Sequence, residues 1–377
     1  MKRILSMLLA SLCILSLSGC GQQTAVASSS STPSENDKIS ALLESLTLEE
    51  KVGQLFFVRC PADGAAQDVK TYHLGGYLLF GRDFKNLTAN EVIQTIQIYQ
   101  EAAKKDAGIP LLIGTDEEGG DVVRVSSNPR ICRWTFASPQ ALFAAGGMKK
   151  VTQDAHRKDV LLKALGINVN FAPVCDVSAN PGDFIYSRTF GQDSTATSDY
   201  VSEVVDQMNG DRMGSVLKHF PGYGNNADTH TGIAVDNRPL KGFETSDFLP
   251  FQAGIQQSNG KTAVLVSHNL VKSMDAKRPA SLSPAVHKLL RDQLGFDGVV
   301  MTDDLAMDAV KVYAENGSVA LMALKSGNDM VLTTDYKTQI PQIVAAVKDG
   351  SLPERKIDDA CRRVLRWKQS LGLLANG

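Results

Sequence analysis

GVVMTDD, residues 298–304, passes from an unbroken apolar run straight into two carboxylates. A strand with one wet face alternates apolar and polar side chains, whereas an unbroken run suits a strand covered on both faces. The same construction recurs along the chain. QLFFVR (54–59), GGYLLF (75–80), PLLIGTD (110–116), INVNFAP (167–173), GSVLKHF (214–220), TAVLVSH (262–268) and NDMVLTT (328–334) bring the total to eight runs. Stretches with helical spacing lie between them, among them ANEVIQTIQIYQEAAKKD (89–106), SDYVSEVVDQMNG (198–210), SPAVHKLLRDQLG (283–295) and NGSVALMALKSG (316–327). IDDACRRVLRWKQSLGLL (357–374) reads as a last packing helix. Eight strand-then-helix repeats predict an α/β fold, a single (β/α)8 barrel. A doubly wound sheet would need fewer strands and usually a Gly-rich phosphate turn after the first, and 54–62 has none.

The N-terminus has a different character. Lys2 and Arg3 precede a short apolar stretch, Ile4 to Leu17, and then Leu17-Ser18-Gly19-Cys20. The apolar stretch is too short to span a bilayer as a helix and reads as an export signal, 1–19. Its end looks like a bacterial lipobox, in which Cys20 would carry lipid and become the mature N-terminus; an ordinary secretory signal with an incidental Cys is the bland alternative. Residues 20–37 are Ser/Thr-rich and read as a flexible tether. Residues 38–377 form the folded domain, and a monomer is expected.

Formal net charge is -2, with no basic face or run, which argues against nucleic acid as a partner. Cys60, Cys132, Cys175 and Cys361 show no C-x-x-C spacing, so neither a zinc site nor an obligatory disulfide is expected.

Strand ends carry the first hint of chemistry. Asp116, Asp176, Lys218-His219, His268-Asn269 and Asp303-Asp304 each follow an apolar run. In a barrel these ends share one rim, where active sites form. One member of Asp303-Asp304 suits a helix cap, while the other can face the mouth as a nucleophile or base. KHFPGYGNNADTHTG, residues 218–232, joins a strand end to a Gly-rich loop holding Asp228 and His230. An Asp beside a His fixes the imidazole's orientation and supports its protonated form. A carboxylate nucleophile plus a separate proton donor is what retaining glycoside hydrolysis requires. A surface turn or a metal-ligand pair is the bland reading of Asp-x-His.

Taken together, these segments resemble glycoside hydrolase family 3, in its β-N-acetylglucosaminidase subgroup. KHFPGYGNNADTH resembles a KHFPGHG…DSH signature, GFDGVVMTDDLAM (295–307) a GFxGVIxSDDLxM segment, and TDEEGGDVVR (115–124) a D-x-EGG-x-V-x-R segment. LTLEEKVGQLF (46–56), GGYLLFGR (75–82) and FAPVCDV…SRTFGQD (171–193) also match, in order, across about 38–374. The resemblance implies that Asp303 is the nucleophile and His230 the general acid/base, paired with Asp228 on an extended loop after strand five. It implies that Asp116, Arg124, Arg188, Lys218 and His219 hold the sugar and its acetamido group. The plain structural alternatives are a cap for Asp116, rim struts for Lys218 and Arg188, and solvated charge for Glu117-Glu118. Tyr223 stands where the family usually has His, and Thr229 and Thr302 stand for Ser.

The implied activity is retaining, exo-acting removal of terminal β-linked GlcNAc from cell-wall muropeptides or related glycans. No metal or organic cofactor is called for. Localisation would be the extracytoplasmic face of the cell membrane, by the lipid anchor. Transfer to phosphate at the same site, and a non-catalytic sugar-binding lipoprotein, are the alternative readings.

Overall fold

In the computed structural model the described residues are 35–229, 232–313 and 318–374. The expected signal peptide, Cys20 and most of the tether lie outside them. Ten strands occur among these residues: β1 Phe56–Arg59, β2 Gly76–Leu79, β3 Leu112–Thr115, β4 Val169–Asn170, β5 Gly214–Phe220, β6 Val235–Asp236, β7 Thr262–Val266, β8 Leu270–Val271, β9 Val300–Asp304 and β10 Met330–Thr333. Eight close into a parallel barrel in the order β1-β2-β3-β4-β5-β7-β9-β10, with β10 pairing back onto β1. Each lies inside one of the eight apolar runs, so the (β/α)8 expectation holds.

Those runs lack alternation because helices cover the outer face while side chains fill the interior. Phe57 from β1 meets Phe171 edge to face at 5.2 Å. Gly114 on β3 makes room for both rings: a Cβ there would sit 2.7 Å from Phe171 and 2.9 Å from Phe57. The barrel centre is thus a packed core.

Several helices start at side-chain caps. Thr88 and Glu91 form a capping box that starts Ala89–Lys105. Asp193 caps Ser194–Gly210, which begins earlier than the 198 read from periodicity, because STAT carries no apolar repeat. The helix expected at 283–295 begins behind Ser283 at Pro284–Lys288 and continues as a wider π-type segment, Leu289–Gln293. The one expected at 316–327 is Val319–Ser326, and the last helix is Glu354–Ser370. Pro139–Ala164, kinked at Gly146 and Gly147, and the short parallel pair β6–β8 had no counterpart in the reading of the sequence.

The last helix closes the barrel's N-terminal face. Trp367 donates to the Lys261 carbonyl just before β7 (2.8 Å), and Arg363 to Asp329 just before β10 (3.0 Å). Glu35–Ser45 packs on its outside through Arg362–Ser40 (2.9 Å) and Arg366–Asn36 (3.1 Å). Residues 35–37, expected in the tether, are therefore helical, and the chain enters on the face opposite the strands' C-terminal ends. Among the described residues no helix is long and apolar enough to cross a membrane.

Candidate active site

The C-terminal ends of the strands surround a cavity of about 420 Å³, within the range of roughly 300–1,000 Å³ usual for small-molecule sites. Asp116, Arg124, Arg188, Lys218, His219 and Asp303 all line it. Six of the eight residues singled out for catalysis or sugar binding are thus brought together. Asp228 is half-buried on the loop after β5, outside the cavity wall, and His230 lies outside the described residues.

Two irregularities aim consecutive side chains at one cavity, although successive strand residues ordinarily face opposite ways. The β5–β7 register shifts between Leu217 and Phe220, and Lys218 and His219 both line the wall. The β9–β10 register shifts between Met301 and Asp304, and Asp303 and Asp304 both line it. Bulges of this kind re-aim side chains beside functional sites.

The inner wall is a charged network. Lys218 Nζ lies 2.8 Å from Asp116 and 2.6 Å from Glu118, and Arg188 takes Glu118 with two bonds of 3.0 and 2.8 Å. Arg124 stands 3.8 Å from the other Asp116 oxygen. Burial pushes the Glu118 carboxyl upward, but the charges of Arg188 and Lys218 outweigh it and hold Glu118 well below the usual carboxylate range. Burial works against the Lys218 ammonium too, yet Asp116 and Glu118 raise it above its ordinary value. Both cations therefore stay charged in a nearly dry wall, held in fixed positions.

Glu117 and Glu118 are 0 % and 4 % exposed, which overturns the solvated-charge reading. The Glu117 carboxylate accepts the backbone N–H groups of Arg124 (2.9 Å), Val125 (2.8 Å) and Ser126 (3.2 Å), and so fixes the loop that presents Arg124. Sequence reading missed Glu118 as a wall residue. Its place two residues beyond Asp116 was the available signal, since such neighbours lean to one side in extended chain.

His219 has a defined ring. Nδ1 lies 2.7 Å from Asp176, and Arg188 stands 3.2 Å from Nε2. A guanidinium only donates, so Nε2 is the acceptor and Nδ1–H donates to Asp176. Asp176, a strand-end residue without an assigned role, lies fully buried behind the wall. His268 is likewise supporting: it pairs with Ser281 (2.7 Å) and with the Asp304 carbonyl (3.0 Å).

Neither Asp303 nor Asp304 caps the helix that follows, Asp308–Lys311, whose N-cap is Met307, so the expected cap is not found in this pair; both side chains line the cavity. Asp304 Oδ1 accepts the Ala306 N–H (2.9 Å), while Oδ2 lies 3.3 Å from Arg59. Burial raises the Asp304 carboxyl above its ordinary value, against the pull of the Ala306 N–H and Arg59. Asp303 accepts the Asp304 N–H at 2.8 Å, which orients its carboxylate. Arg59, 4.1 Å from the centre of the Phe80 ring, is a second wall residue that sequence reading missed. Thr302 keeps the hydroxyl of the Ser it replaces, and it accepts the Leu332 N–H at 3.1 Å.

Cys60, Cys132, Cys175 and Cys361 are buried free thiols. Among the described residues no group of three His, Cys, Asp or Glu side chains is arranged to hold a metal ion.

Comparison with known proteins accords with this geometry. The family described as "Glycosyl hydrolase family 3 N terminal domain" matches residues 47–367. Beta-hexosaminidase LpqI of Mycobacterium tuberculosis is 31% identical over 335 residues, covering 86% of this chain and 83% of that protein. Among solved structures, a glycoside hydrolase family 3 beta-N-acetylglucosaminidase from Paenibacillus sp. str. FPU-7 superposes with a TM-score of 0.80 at 32% identity. That match covers 88% of this chain and 64% of the Paenibacillus chain, which is the longer protein. The M. tuberculosis LpqI structure gives a TM-score of 0.76 at 29% identity, over 86% of this chain and 95% of LpqI. With the family matched over most of its length, its barrel and a charged cavity at the strands' C-terminal ends, this chain belongs to glycosyl hydrolase family 3.

Proposed function

We propose that the chain is a retaining, exo-acting β-N-acetylhexosaminidase that releases terminal β-linked GlcNAc, with cell-wall muropeptides or related glycans as substrates. The observation that carries this reading is the closed polar wall of Asp116, Glu118, Arg188, Lys218 and His219 beside Asp303. Such a wall offers donors and acceptors in fixed directions to a hydroxyl-rich ring and its amide, and Asp303 stands at the same cavity.

Asp303 is the nucleophile. Its carboxylate attacks the anomeric carbon as the bond to the leaving oxygen breaks, forming a covalent glycosyl-enzyme. His230, paired with Asp228, donates the proton to that oxygen. In the second step it takes a proton from water, whose oxygen displaces Asp303 and restores the original anomer. Asp116, Arg124, Arg188, Lys218 and His219 hold the sugar. Attachment through lipid on Cys20 places the enzyme on the extracytoplasmic face. Because the chain enters on the barrel's N-terminal face, the cavity opens on the side away from the tether. The protein acts as a monomer.

The test is hydrolysis of an aryl β-GlcNAc glycoside by the mature protein, with and without phosphate, following the product anomer by NMR. Asp303→Ala should lose on the order of 10³-fold or more in turnover. His230→Ala should lose roughly 10²–10⁴-fold where the leaving group needs a proton, and less with an acidic one. An inverted first product would refute the covalent step. GlcNAc-1-phosphate as the main product would make the enzyme a phosphorylase. Binding without turnover in either medium would leave a sugar-binding protein.

A further inference from the structure

Tyr223, at the family's usual His position, sits where the loop after β5 is joined together. The base of that loop is clamped by Arg238, which pairs with Asp236 (2.7 Å) and Asp247 (3.0 Å) and donates to the Gly222 carbonyl (3.2 Å). Asn226 adds bonds to Asp236 (2.7 Å) and to the Tyr223 carbonyl (2.8 Å). From this base Tyr223 reaches across to Thr229. The two hydroxyls are hydrogen-bonded, and the Thr229 N–H points to the phenol oxygen at 3.4 Å. Thr229 is the residue between Asp228 and His230 in the sequence.

Tyr223 is itself rigidly held. It is 2 % exposed, its N–H donates to Asp176 at 2.7 Å, and its ring meets His219 edge-on at 5.4 Å. One buried carboxylate, Asp176, therefore pins both His219 in the cavity wall and the Tyr223 anchor. Burial first, and then the nearby charge of Asp303, raise the phenol far above its ordinary value, so it stays a neutral hydroxyl. A neutral phenol accepts the Thr229 N–H and can either donate to or accept from the Thr229 hydroxyl.

We propose that Tyr223 is a positioning residue for proton transfer. Its hydroxyl holds Thr229, the residue that links Asp228 to His230 in the chain, and so sets the loop that supplies the proton. This rests on His230 as the acid/base. Removing the anchor leaves nucleophile and sugar wall in place and degrades the step that needs a proton.

The experiment compares kcat/KM, which reports the glycosylation step, for a β-GlcNAc alkyl glycoside and a dinitrophenyl glycoside. Tyr223→Phe deletes one oxygen in a volume-conserving change. The expected loss is about 10-fold to 100-fold on the alkyl substrate and only about threefold or less on the dinitrophenyl one. Thr229→Val should reproduce this pattern, Thr229→Ser should restore activity, and the double variant Tyr223→Phe/Thr229→Val should lose no more than either single one. Equal losses on both substrates, additive losses, or no loss would overturn the inference. His230→Ala run alongside separates the two claims. If it shows the leaving-group dependence and neither anchor variant does, only the positioning role fails. If it shows none, the acid/base assignment fails and this inference with it.

Discussion

Lys368 offers a sharp test of how the barrel's closed end is built. It is 0 % exposed on the last helix, and its Nζ donates to Gln54 Oε1 at 2.6 Å. Burial pulls its ammonium down from 10.5 to about 7, with the neighbouring Cys361 acting in the opposite direction. At about 1.4 kcal/mol for each pH unit, that fall corresponds to about 5 kcal/mol of folding free energy. The sign follows from proton counting. Between pH 7 and 10.5 the unfolded chain holds a proton on Lys368 that the folded chain has released, so stability rises with pH across that window.

Lys368→Met keeps the shape and removes the ionisation, leaving Gln54 Oε1 without its donor, a loss of about 1–3 kcal/mol. Removing the ionisation is worth about 4 kcal/mol at pH 7 and about 2 kcal/mol at pH 9. The variant should therefore gain about 1–3 kcal/mol over wild type at pH 7 and roughly nothing at pH 9. Urea unfolding of both proteins at the two pH values, in the same salt, measures the difference, and groups common to both cancel. Turnover should be unchanged, because the helix lies on the face opposite the cavity. A stability difference that is the same at pH 7 and pH 9 would refute the reasoning.

Glu118→Gln removes the charge that balances Lys218 and Arg188. It should destabilise the fold by about 3–5 kcal/mol and weaken GlcNAc binding, read by thermal unfolding and by calorimetry. Because Glu118 is held below the usual carboxylate range, its contribution is present at neutral pH and lost as pH falls through its lowered value. Wild type and Glu118→Gln should therefore converge in stability on acidification. Cys20→Ala, expressed with its leader, should move the protein from the membrane fraction to the soluble one; unchanged membrane retention would refute the lipid anchor.

The barrel was legible because burial on both faces leaves a mark in one dimension. Runs such as GVVMTDD and TAVLVSH have no alternation, and eight of them, separated by helical spacing, have few ways to close. Asp116, Lys218, His219 and Asp303 were legible for a related reason: each ends an apolar run, and in a barrel every such end meets the same rim. Arg124 and Arg188 came from the family resemblance instead.

What sequence position could not convey is which charges face each other across the barrel. Glu118 and Arg188 lie 70 residues apart, and Asp176 and His219 lie 43 apart. Taken singly, a Glu beside another Glu is most economically a solvated charge. It becomes a buried strut only when β3 and β5, held two places apart by β4, bring Lys218 over it. The β5 and β9 bulges are likewise invisible in the letters, since they arise from register against a neighbouring strand. The Tyr223–Thr229 contact was beyond reach for the same reason, although the substitution itself was plain. Where apolar strands end and polar chemistry begins can be read from the order of residues alone. Which of those polar groups are paired, buried and held charged depends on the folded arrangement, because pairing and desolvation belong to neighbours in space.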